Sequence, residues 1–271
     1  MFKTLLARIS APEPELPFSV AAGLSGLVAL VVGMLFIVGM LFIGPTVALL
    51  IPGLPGNLAL LLGWTLGGAL AVGFIFVRLK TPTQRAALWS KVVPPPKGKK
   101  ASPSTEGSGG LTAQELFFML LLGVGFAITL DVISGRLTST FLPEPELRGL
   151  YTPGQSLSAL GWVIAILFMV GVQPLAEELS FRGLLLPSLR RLIGPWLGYL
   201  LTSLAGALFH QLTYSTPGGD FNALWFGLLA PLLTNLLFGG IRLYSGSTRA
   251  ALLAHIGFGL FAIVKLVTLP G

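Results

Sequence analysis

The sequence predicts an all-α, polytopic transmembrane helical bundle with about seven crossings, and three observations carry that prediction. Hydrophobic side chains make up 54% of the 271 residues and charged ones only 10%, against about 25% charged in a soluble globular domain. The mean hydropathy is +0.86. Several apolar runs reach the roughly 20 residues that a helix needs to cross a hydrocarbon core of about 30 Å.

The spans fall at about 18–43, 57–78, 112–130, 157–173, 195–212, 221–241 and 249–267. The first is longer than the 7–15-residue core of a signal peptide and has no small-residue cleavage site after it, so it reads as a retained anchor. A short apolar piece at 46–52, broken by Pro45, Pro52 and Pro55, is expected to turn outside the hydrocarbon or to dip into it. Gln173-Pro174 is expected to end the helix begun near 157, because proline lacks a backbone donor and clashes with the preceding turn. A separate helix then runs from about 174 to 191. The organisation is an N-terminal hairpin (1–78), a Pro/Gly/Ser-rich basic linker (79–111) and a C-terminal core (112–271). PPPKGKK favours extended polyproline structure and SPSTEGSGG flexibility. With no charge between Phe18 and Val77, the hairpin is expected to serve packing or to hold a membrane-protein partner.

The net charge of +7 does not point to nucleic acid, because of where it lies. Arg78, Lys80, Arg85, Lys91, Lys97, Lys99 and Lys100 share one short segment free of acidic residues, the cytoplasmic excess that orients membrane proteins. That puts the N-terminus and the linker in the cytoplasm and the segment with Asp131, Glu144, Glu146 and Arg148 outside. Arg190, Arg191, Arg242 and Arg249 return inside, and Asp220 lies outside. Lys265 is expected to snorkel to the interface. The bilayer is thus the first partner. There is no cysteine, which excludes disulfides and thiolate chemistry.

The stretch AEELSFRG, from Ala176 to Gly183, is the exception to an otherwise apolar region. Glu178 and Arg182 stand four apart, carboxylate first, as an intrahelical ion pair requires. Glu177 points about 100° away and is the residue left for chemistry. Glu177 lies 13 residues before Arg190 and His210 lies 15 after Pro195, so a tight hairpin at Gly194 brings both to about 20 Å from the turn, near the bilayer middle. His255, six residues after Arg249, comes out only about 9 Å deep, a mismatch of about 10 Å. Asn235, seven residues before Arg242, approaches the same layer. Intramembrane ionisable groups are costly and mark functional sites. A buried carboxylate beside histidine can activate water. Glu and His together can also hold a divalent metal such as zinc. The residues leave open which of the two operates.

These residues resemble the CPBP family, the CAAX-protease and bacteriocin-processing intramembrane proteases. Glu177-Glu178-x-x-x-Arg182 is similar to the family's EExxxR signature, ALFHQ with His210 falls where the family has its FxxxH helix, and LYSGSTRAALLAHIG with His255 resembles its last core helix, with motif HxxxN. The resemblance runs from about 157 to 268. It implies that Glu177 and His210 activate water and that His255 and an Asn polarise the scissile carbonyl. Glu178 and Arg182 are expected to fix the helix and tune Glu177. Two positions depart from it: Gly206 stands where the family has Phe, and Gly259 where it has Asn.

The expected activity is endopeptidase hydrolysis of a membrane-embedded or lipid-modified peptide. A catalytically degenerate membrane scaffold or receptor is the alternative, which the missing Asn motivates. Transporters also use broken helices and midplane polar residues, but this chain lacks paired repeats. A zincin is excluded by the absence of HExxH. A rhomboid-like serine reading of GLSG at 23–26 fails because Ser25 lies at the wrong end of the first helix.

Overall fold

The structure, a computed structural model, describes residues 2–13, 22–89, 111–139, 157–214 and 219–268. All regular structure among them is helical. The expectations for Lys91, Lys97, Lys99, Lys100, Glu144, Glu146 and Arg148 lie outside the described residues.

A short amphipathic helix α1 (Phe2–Ser10) precedes the bundle. Helix α2 starts as Ala22–Val38 and continues without a break through Gly39–Ile43 and Gly44–Leu50. The remaining helices are α3 (Gly56–Arg78), α4 (Pro82–Trp89), α5 (Ala113–Thr138), α6 (Ala159–Ile193), α7 (Pro195–Tyr214), α8 (Phe221–Ser245) and α9 (Thr248–Thr268). Six of them are long and apolar enough to cross a membrane, namely α2, α3, α5, α6, α8 and α9. Helix α7, of 20 residues, also has the length of a crossing but carries Thr202, Ser203, His210 and Gln211 among its apolar residues. The chain is a multi-pass integral membrane protein, and the seven expected crossings are approximate.

Two proline expectations are corrected. Gln173-Pro174 does not break the helix, since Ala159–Ile193 is continuous, and residues 46–50 complete α2 rather than forming a separate piece. The reason is local. Each of the four π-helical segments ends two residues before a proline: Ile43 before Pro45, Val172 before Pro174, Leu185 before Pro187 and Leu229 before Pro231. Proline lacks an N–H and its ring strikes the carbonyl four residues back. A wide turn of i→i+5 type moves that carbonyl away and lets the helix continue. Helix α5 also runs further than expected, to Thr138, so Asp131 lies within it rather than beside a loop. It opens on a capping box, in which Thr112 Oγ1 accepts from Glu115 N at 3.2 Å and Glu115 Oε2 accepts from Thr112 N at 2.8 Å.

The hairpin of α2 and α3 is closed by glycines. A Cβ on Gly63 would lie 2.6 Å from the Gly39 carbonyl oxygen, and one on Gly67 would lie 3.0 Å from the Gly39 Cα. Backbones approach this closely in a bilayer because dispersion, not water expulsion, holds the helices together. The hairpin is not set apart from the C-terminal helices. Phe36, Leu61, Trp64 and Ile75 share one buried cluster with Ile164, Phe168, Leu179 and Ile263, and Trp64 stacks on Phe168 at 5.7 Å. Part of the segment read as linker is helical: α4 buries Leu88 against Gly183, and Arg249 lies over the Trp89 ring at 5.9 Å.

Arg190, expected only to mark the inner surface, is a buried clamp. Its guanidinium pairs with Glu13 at 2.7 Å and donates to the carbonyls of Ile9 at 2.9 Å and Ala11 at 2.7 Å. Ile9 belongs to the last turn of α1, whose carbonyls lack helical partners, and Ala11 follows directly after it. Arg190→Ala strands Glu13 in a buried position, so thermal unfolding in detergent is expected to report a loss of about 3–5 kcal/mol. A variant as stable as wild type would rule this clamp out. Lys265 does not simply snorkel: its Nζ donates to Asp131 Oδ1 on α5 and lies over the Phe261 ring.

Candidate active site

The EELSFR stretch lies in the long helix α6, where Glu178–Leu185 is π-helical. Glu178 is 0% exposed and Arg182 1%. Their side chains pair at 3.1 Å, as the i,i+4 spacing predicts. Arg182 also lies over the Phe238 ring at 5.6 Å, and its Nη2 donates to Asn235 Oδ1 at 2.8 Å and Asn235 O at 3.1 Å. A guanidinium so enclosed is tolerable because its charge is paired with Glu178 and Nη2 donates twice to Asn235.

His255 reaches this layer after all. Its Nδ1 lies 2.9 Å from Glu178 Oε1, and its ring stacks on Phe238 at 4.7 Å. The depth mismatch expected from the sequence does not hold, since the two side chains meet directly. Close backbone packing fixes α9 here. Cβ atoms on Gly123 or Gly257 would overlap the carbonyls of Ala254 and Leu120, so α5 and α9 touch on either side of His255.

Glu177 is turned away from this pair, as expected. It lines a cavity of about 70 Å³ together with Gln173, Arg182, His210, Asn235 and His255, enough for several water molecules. The lining also has an aromatic part, with Phe226, Phe238, Phe258 and Phe261. Of the five site residues expected from the sequence, Glu177, Arg182, His210 and His255 line the cavity, and Glu178 stands behind it. Glu177 is 7% exposed. One partner escaped the sequence reading: Gln173 Nε2 donates to Glu177 Oε1 at 3.1 Å. The signal was its i,i+4 spacing on a helix expected to break between the two residues.

The two departures have structural counterparts. A Cβ on Gly259 would overlap the Met169 carbonyl oxygen, so α9 crosses α6 where no side chain fits. A Cβ on Gly206 would overlap Asn235 Oδ1, so that glycine makes room for the asparagine. Nothing places three or more His, Asp or Glu side chains around a metal among the described residues. Glu178 Oε1 already faces both Arg182 and His255. The residues do not fit a zinc site.

This fold and site define a class of membrane protein whose polar centre is built inside its helices. Residues 159–261 match the family described as type II CAAX prenyl endopeptidase Rce1-like, a similarity that agrees with the CPBP resemblance over that segment. The chain is also 35% identical over 105 residues to the uncharacterized protein YyaK of Bacillus subtilis (strain 168). That alignment covers 37% of this chain and 33% of the relative. No solved structure matches.

Proposed function

We propose that the chain is an intramembrane endopeptidase of the CPBP type that hydrolyses a membrane-embedded or lipid-modified peptide. One observation carries the reading: Glu177, His210 and His255 line a single cavity, built among membrane helices within the segment that matches the Rce1-like family. In the proposed reaction, Glu177 takes a proton from water that His210 orients, and the hydroxide forms a bond to the scissile carbonyl carbon. The C–N bond then breaks, and the leaving amine takes the proton from Glu177. Glu178 holds His255 and Arg182 in place. Protonated, His255 offers an Nε2–H to the carbonyl oxygen. No step is routed through a metal.

The basic ends of the helices support an inside-facing N-terminus. Lys3 and Arg8 lie on α1, which Arg190 clamps, and Arg249 meets Trp89 at the start of the linker. The aromatic part of the cavity lining suits a lipid-bearing or transmembrane peptide.

A scaffold without catalysis is the second reading, and Gly259 motivates it. The test is a panel of fluorogenic peptides, farnesylated at a C-terminal C-a-a-X box or carrying a leader sequence, incubated with purified protein with and without chelator. Cleavage is expected, undiminished by the chelator. Loss on chelation would overturn the metal-free reaction, and an intact panel would favour the scaffold.

A further inference from the structure

Hydrolysis of a peptide bond puts negative charge on the carbonyl oxygen, and a dry site needs an N–H donor aimed there. The cavity's side-chain N–H groups belong to Gln173, Arg182, His210, Asn235 and His255. Gln173 spends one of its two N–H groups on Glu177, which ties its amide to the proposed base. His210 has the water to orient in the proposed reaction. Arg182 faces Glu178 and Asn235. His255 turns Nδ1 to Glu178; when neutral and donating there, it presents a lone pair at Nε2 rather than a proton.

Asn235 differs. Because Arg182 donates to Oδ1 at 2.8 Å, the amide is oriented and its NH2 lies on the other side. One of the two N–H bonds goes to the Pro231 carbonyl at 2.9 Å, which leaves one N–H unspent. The side chain is 7% exposed and lines the cavity. Arg182 also polarises the amide and makes its N–H a stronger donor. Gly206 underneath permits the approach. It stands one turn before His210 on the same face of α7, so the asparagine is set in register with His210.

We propose that Asn235 is the neutral donor to the scissile carbonyl oxygen, in place of the side chain that position 259 cannot carry. The assignment rests on the endopeptidase reading. Its neutrality makes it a donor whatever the protonation of His255.

The test compares wild type, Asn235→Asp, Asn235→Leu, Gly206→Ala and Glu177→Gln in cleaving the farnesylated C-a-a-X peptide and the leader peptide. Melting is followed alongside. Asn235→Asp keeps an oxygen for Arg182 but has no N–H, so kcat is expected to fall about 10²–10³-fold, with KM within about twofold. Asn235→Leu should match it. Gly206→Ala, which leaves the amide intact but displaced, should lower kcat at least about tenfold and guards against Asn235 variants that do not fold. A peptide trifluoromethyl ketone, whose hydrate mimics the tetrahedral oxyanion, should bind Asn235→Asp about 10²-fold more weakly than wild type. With Glu177→Gln inactive, a wild-type kcat in the Asn235 variants, or a loss confined to KM, overturns the assignment and leaves the endopeptidase standing. Cleavage of neither peptide by wild type overturns both.

Discussion

Glu177→Gln is expected to lower the cleavage rate by about 10²–10⁴-fold, the range a positioned general base supplies, while the melting temperature stays close to that of wild type. The substitution preserves the shape of a side chain that is 7% exposed and can still accept from Gln173. What it removes is the ability to take a proton from water. Single-turnover cleavage of the farnesylated peptide, beside a melting curve, checks both halves. A glutamine variant that cleaves at the wild-type rate would transfer the base to another group and remove the centre of the proposed reaction. The corresponding change at Glu178 should behave differently, because Glu178 stands behind the cavity and holds Arg182 and His255.

Arg182→Met is expected to cost about 3–5 kcal/mol of stability, because it leaves Glu178 buried without its cation. The residue sits at a junction: it pairs with Glu178, holds the Asn235 amide and lies over Phe238. Pairing the change with Glu178→Leu should recover most of the stability, since apolar side chains of similar volume often replace a buried ion pair at no net cost. Activity should not return with it, because Asn235 and His255 have then lost the groups that orient them. Denaturant unfolding in detergent and cleavage of the same peptide separate the two effects. A double variant that is both stable and active would show the pair to be packing alone.

Much of this was legible in the sequence because it depends on neighbours along one chain. The membrane class followed from length and apolarity, since an unpaired backbone in hydrocarbon leaves only helices as spanning segments in a chain of such runs. The Glu178–Arg182 pair followed from a spacing of four, and the different facing of Glu177 from the turn angle of about 100° per residue. Proline misled the reading at 174 and 45, because its effect depends on whether the preceding turn can widen. That is decided by packing around the helix and not by the dipeptide.

The sequence by itself determined that charge placed at Glu177, Glu178 and Arg182 sits inside an apolar bundle, and that His210 stands near the level of Glu177. Only the tertiary structure decided what those groups meet. The Gln173 bond to Glu177 needed an unbroken α6. The turn of His255 to Glu178 needed the close crossing of α5 and α9 at Gly123 and Gly257. The place of Asn235 needed a glycine 29 positions away at Gly206, on a neighbouring helix. Local order along a helix fixes which face a side chain takes. Which side chain stands opposite depends on how closely two backbones approach, and that is a property of the pair of helices rather than of either sequence alone.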